Sequence, residues 1–97
     1  MSYNWFMWEV RLTKRANEKK NKLPIKVQGL LLTLLQEIKY DGPYRHNWKN
    51  FGKLEDNKYH CHIKKGNPTY VVCWEIIDKI IQITEVYYVG THEKAPY

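Results

Sequence analysis

The sequence predicts an α+β fold: an N-terminal strand, two helices, then a three-stranded antiparallel meander, with the helices packed on one sheet face. Three observations lead there. The run Leu23–Tyr40 repeats its apolar residues at spacings of three and four. Three strand-like runs, Lys58–Lys65, Tyr70–Ile77 and Ile80–Val89, follow it with tight turns between them. An aromatic and β-branched run, Trp5–Leu12, precedes it. A chain of 97 residues has material for one core, so one domain is expected across residues 1–97.

In the first strand Trp8, Val10 and Leu12 share one face and Glu9 and Arg11 the other. The polar stretch Thr13–Lys22 follows, in which Thr13 is placed to cap a short helix. It reads either as a basic surface for phosphates or as a solvated helix face. Pro24 suits a first helical turn, and Val27, Leu30, Leu31, Leu34, Leu35 and Ile38 then form one broad apolar stripe. Gly29 within it marks a point of close packing, and Asp41-Gly42-Pro43 stops the helix. From Tyr44 to Asn57 no period is clean, and the stretch reads as a loop. Arg45, Lys49 and Lys53 alternate there with Trp48, Phe51 and Leu54. That mixture suits phosphate contacts and base stacking, and equally a surface loop pinned by its apolar residues.

The strand Lys58–Lys65 organises the functional reading. Its period of two turns Tyr59, Cys61 and Ile63 into a core, and His60, His62 and Lys64 toward water or a ligand. Gly66-Asn67-Pro68 makes the next turn and Asp78-Lys79 the one after it. Gly90 breaks the last strand and releases the tail Thr91–Tyr97.

Net charge is +6, which favours an anionic partner, with nucleic acid first. Cys61 and Cys73 lie in apolar runs and read as buried thiols rather than a disulfide. The N-terminus lacks the basic start of a signal peptide, and no apolar run approaches the ~20 residues of a membrane span. A cytoplasmic protein with no membrane partner is therefore expected.

Phosphate loops, nucleophile elbows and His-Glu-x-x-His are all missing from the sequence. The pleat turns Cys61 away from its flanking histidines, which argues against a cysteine nucleophile. His60-x-His62 has zinc-ligand spacing, with His92 as a third leg, but Lys58, Lys64 and Lys65 would repel a dication. No metal and no cofactor is the expectation. Metal-free RNA cleavage suits the residues better. It needs a base for the ribose 2′-hydroxyl, an acid for the leaving 5′-oxygen and a cation near the phosphate. His62 and His92, backed by Lys64 or Lys65, fill these roles if the tail after Gly90 folds back beside the strand Lys58–Lys65. The bland alternative is that histidines on a sheet face are only polar surface.

Two short motifs add to this. Tyr59-His-Cys-His-Ile63 and the tail Gly90-Thr-His92, ending in Tyr97, resemble motifs of the RelE/ParE toxin superfamily, most closely its YafQ-like mRNA interferase branch. The motif match covers about the last 45 residues; element order extends it to the whole chain. The resemblance implies the toxin of a bacterial type II toxin–antitoxin pair: a ribosome-dependent endoribonuclease acting on mRNA, held inactive by a cognate antitoxin. It implies His62, His92 and Tyr97 as active-site residues. His60 and Lys64 join them on the strand face, and Lys49, Lys53, Lys58, Lys65, Arg45 and Lys94 are the expected RNA contacts. His60 stands where the branch has aspartate, and Thr69-Tyr70 where it has an Asp-Trp pair. Tyr88 replaces an arginine, so the transition-state cation must come from Lys64, Lys65, Lys53 or Lys94. A further histidine of the branch finds its candidate in His46. Two rival readings stay open: a ParE-like gyrase inhibitor that cuts nothing, and a basic nucleic-acid-binding module without toxicity.

Overall fold

The computed structural model describes residues 7–97. The expected first strand therefore lies partly outside the described residues, at Trp5 and Phe6. What is described of it runs Glu9–Leu12 (β1). Two helices follow, Lys14–Lys20 (α1) and Ile25–Asp41 (α2). Then come four strands, Lys49–Glu55 (β2), Lys58–Lys64 (β3), Tyr70–Asp78 (β4) and Ile83–Thr91 (β5), and a single 3₁₀ turn at His92–Lys94. The five strands form one sheet in the order β1-β5-β4-β3-β2. Neighbours in β2 to β5 run antiparallel, and β1 joins β5 in parallel.

Local chemistry accounts for both helices. The Thr13 hydroxyl accepts from the Ala16 N–H at 3.1 Å, so the short α1 starts on a side-chain cap as its sequence suggests. In α2 the stripe of Val27, Leu31, Leu34 and Ile38 is fully buried against Cys61, Ile63, Val72 and Trp74 of the sheet. Gly29 has open space around it, which overturns the expectation of close packing there. The helices cover one sheet face, and the face carrying His60 and His62 is left to the C-terminal tail.

Three boundaries differ from expectation. Residues 49–55, read as loop, are an edge strand, so the meander has four strands. The period is hidden because β2 is irregular: its register shifts twice against β3, and Asn50 has φ 57°. The last strand begins at Ile83 rather than Ile80. Ile80 and Ile81 sit exposed on the turn, where the Asp78 carboxylate accepts both their N–H groups at 2.8 and 3.0 Å. Gly90 does not break β5; it pairs with Val71 and the strand continues to Thr91.

One carboxylate ties the segment before β2 to α2. Glu37 Oε1 accepts from Asn47 Nδ2 at 2.8 Å, from the Trp48 indole at 2.9 Å and from Arg45 at 3.2 Å. Burial raises the cost of its charge, but these three donors outweigh it and hold Glu37 below the usual carboxylate range. The stabilisation is present above the unfolded carboxylate value and lost as pH falls through the folded one. Glu37→Ala leaves three donors without their acceptor and should cost about 1–3 kcal/mol. In a domain of this size that lowers the thermal midpoint by roughly 4–8 °C for each kcal/mol. An unchanged midpoint in a thermal melt would show that the segment is held by other means.

Candidate active site

Alternation along β3 puts Lys58, His60 and His62 on the face away from the helices. Across the sheet their neighbours are Cys73, opposite His60, and Val71, opposite His62. Both are fully buried and form the floor of the site. On the other side Gly52 stands opposite His60, and Lys49 opposite His62. A side chain at position 52 would put its Cβ 3.4 Å from His60 Nε2, so the glycine leaves the imidazole its room. Nothing in the irregular 44–57 stretch signals this, although a glycine next to Phe51 in a run of strand length is a usable clue.

The tail reaches the same face. The His92 N–H donates to the Thr69 carbonyl at 2.8 Å, which fixes the 3₁₀ turn at the entry to β4. From there the ring of His92 lies 5.3 Å from that of His62, centroid to centroid, and edge-on to it. Tyr97 folds back further, 4.6 Å from His60 and 6.0 Å from His92. His60 and His62 are 6.3 Å apart. Three imidazoles and one phenol thus converge from two parts of the chain about 30 residues apart. All four were singled out in the sequence.

The surroundings of His60 and His62 favour neutral imidazoles. Burial pushes His60 and His62 below the usual histidine range, and a charge on His92 pushes both further. Lys65 adds to the effect on His62. The Nδ1 atoms of both rings are buried with no hydrogen-bond partner among the described residues, so no acceptor is in place to hold an extra proton. A proton on His92 thus discourages protons on His60 and His62. Burial also keeps the Tyr97 phenol protonated by pushing it up. The thiols of Cys61 and Cys73 are pushed up to about 12 by burial and are unfit as nucleophiles. No three histidine, cysteine, aspartate or glutamate side chains among the described residues are grouped to hold a metal ion.

The basic residues divide. Lys49 stands opposite His62 on the histidine face, and Lys94 closes the 3₁₀ turn beside His92. Lys64 is a correction: the register of β3 shifts after His62, so Lys64 stands opposite Tyr70, which packs on the core, and it is Lys65 whose charge reaches His62. Lys58 is on that face too, but its ammonium group bonds Glu55 at 3.1 Å and sits 5.6 Å over the Tyr87 ring. Lys53 stands opposite Tyr59, on the other face, and pairs with Asp56 at 3.7 Å. It therefore stands apart from the imidazoles. Arg45 has its side chain 14% exposed, and its two terminal nitrogens bond Glu37, Asn47 and the Asp41 carbonyl. His46 packs against Phe51 at 4.8 Å, on the helix side of the sheet and away from His62. Tyr88, standing where an arginine was expected, instead donates its hydroxyl to the Thr91 carbonyl at 2.7 Å and so braces the start of the tail.

The arrangement of elements is shared with solved structures. RelE in an archaeal RelE–RelB complex from Pyrococcus horikoshii OT3 superposes with a TM-score of 0.70. It is 12% identical, over 92% of this chain and 99% of that one. A double mutant of the E. coli toxin RelE in its free state gives 0.67 at 22% identity, over 90% and 85% of the two chains. The isolated E. coli RelE toxin gives 0.64 at 22% identity, over 92% and 88%. The fold is that of RelE. No family model and no curated protein matches the sequence. On the RelE fold, the site described above is the open sheet face closed at one end by the C-terminal tail.

Proposed function

We propose that this protein is the toxin of a toxin–antitoxin pair, a RelE/YafQ-type endoribonuclease that cuts mRNA on the ribosome by metal-free acid–base chemistry. The observation that carries it is the convergence of His62 and His92, with ring centroids 5.3 Å apart, beside Tyr97 and among lysines. His62, held unprotonated by its burial and its cationic neighbours, takes the proton of the ribose 2′-hydroxyl. The 2′-oxygen attacks the phosphorus, the bond to the 5′-oxygen breaks, and His92 delivers a proton to that oxygen. Lys49, opposite His62, and Lys65, whose charge reaches His62, balance the charge that builds on the phosphate, and Tyr97 offers a face for a base near the cut. The fold shared with a RelE solved in complex with RelB supports a cognate antitoxin as partner. A binder that blocks gyrase has no use for proton carriers, so the imidazole cluster favours the nuclease over that rival.

Incubation with translating ribosomes followed by mapping of mRNA ends tests this directly. Cuts within the ribosome-bound codon support the proposal; intact message and inhibited gyrase would replace it with the ParE-like reading. The pH profile is a second check. The base acts only when neutral and its value in the folded protein lies below the ordinary 6.5 of histidine. The acid limb of kcat/KM should therefore lie below pH 6.5, with activity lost as pH falls through it. An acid limb above about pH 7 would remove His62 from the role of base.

A further inference from the structure

We propose that a second cavity, between α1 and the C-terminal tail, is a nucleotide subsite that holds one flanking nucleotide of the RNA strand being cut. This rests on the reading of the chain as an RNA-cleaving protein and says where the strand goes beyond the cut. The cavity has a volume of about 510 Å³, within the range of about 300–1,000 Å³ usual for sites that enclose a small ligand. Its rim carries Arg15, Lys19 and Lys22 from α1 and its flank, and Lys94 from the tail. None of the four makes an ion pair or side-chain hydrogen bond with any described residue, and no acidic residue among those described lines the cavity. Its lining includes Tyr70, Tyr87 and Tyr88. Uncompensated cations around aromatic faces are the two elements of single-strand recognition, charge for phosphate and a ring for a base.

Position adds the second argument. The cavity is bordered by Thr91 and Pro96, the residues immediately before His92 and Tyr97. The tail therefore has the imidazole cluster along it and this cavity against its other flank, so a strand bound at His62 and His92 needs only to pass the tail to enter. An acidic polypeptide would also be drawn to the cations, but three tyrosines in the lining suit a base better than a carboxylate chain.

The test is equilibrium binding of a short single-stranded 2′-O-methyl oligonucleotide, which lacks the attacking hydroxyl and stays intact. Lys19→Ala/Lys22→Ala should weaken binding about tenfold, and lower the slope of log affinity against log salt by roughly 0.7 for each phosphate no longer neutralised. All four lysines used in the two variants are exposed, so folding is unaffected. The control Lys14→Ala/Lys26→Ala removes equal charge from outside the cavity lining and should change affinity less than about twofold. Unchanged binding in the first variant, or equal weakening in both, overturns the subsite. So does a loss confined to a poly-glutamate peptide, which would assign the cavity to an acidic polypeptide. Because the oligonucleotide is never cut, these outcomes are independent of whether the protein proves to be a nuclease. Where message is cleaved, the first variant should raise KM and leave kcat unchanged.

Discussion

Replacing His92 by alanine should lower the rate of RNA cleavage about 10²–10⁴-fold while leaving the protein folded. The ring is exposed, and its backbone contact with Thr69 is made by the amide, which alanine keeps. Stability should therefore change by no more than about 0.5 kcal/mol. His62→Ala should have a loss of similar size. If the two imidazoles work as one acid–base unit, the double variant will be little worse than either single one, because the second removal takes away something already idle. Single-turnover cleavage by the three variants, alongside their thermal melts, decides the matter. Additive losses would mean two independent groups, and full activity of either single variant would end the assignment.

What the sequence made legible follows from where side-chain periodicity survives. Strand β3 lies inside the sheet with one face in the core, so Tyr59, Cys61 and Ile63 alternate with His60 and His62, and the face bearing the imidazoles could be read directly; the register shift after His62, which displaces Lys64, leaves no such mark. In α2 the buried residues Val27, Leu31, Leu34 and Ile38 keep helical spacing for the same reason. Strand β2 carries no such signal because it is an edge strand with two register shifts and mostly exposed side chains, so neither face imposes a composition. Ile80 and Ile81 misled in the opposite direction. Their β-branched character suits a strand, but the Asp78 carboxylate captures their amides and turns the chain before Ile83. The cluster around Glu37 joins residues 8 to 11 positions away through side chains alone, and no local pattern announces such an arrangement. For the site, residue types pointed to the histidines. Only the folded chain shows that Arg45 is bonded to Glu37 and that Lys53 stands opposite Tyr59, on the face away from the imidazoles, since both placements are tertiary.

Gly90→Ala should lower cleavage about 10²-fold at a cost of only about 0.5–1.5 kcal/mol in stability. Gly90 pairs with Val71, on the histidine face, and the Tyr88 ring lies across it. A Cβ at position 90 would stand 2.7 Å from Tyr88 Oη, too close for a contact, and a tight 3.0 Å from Cζ. The ring must swing away, and its hydroxyl then leaves the Thr91 carbonyl that it now holds at 2.7 Å. Since Thr91 carries the chain into His92, removal of this brace loosens the imidazole and, beyond it, Tyr97. A displacement near about 1 Å at the reacting groups is enough for a loss of this order. Tyr88→Phe keeps the ring and removes only the hydroxyl, so it should lose less activity than Gly90→Ala. In Tyr88→Ala the clash has no partner, and adding Gly90→Ala to it should cost nothing further in rate. If the glycine change were as harmful without the tyrosine as with it, the tail would owe its position to something other than this brace.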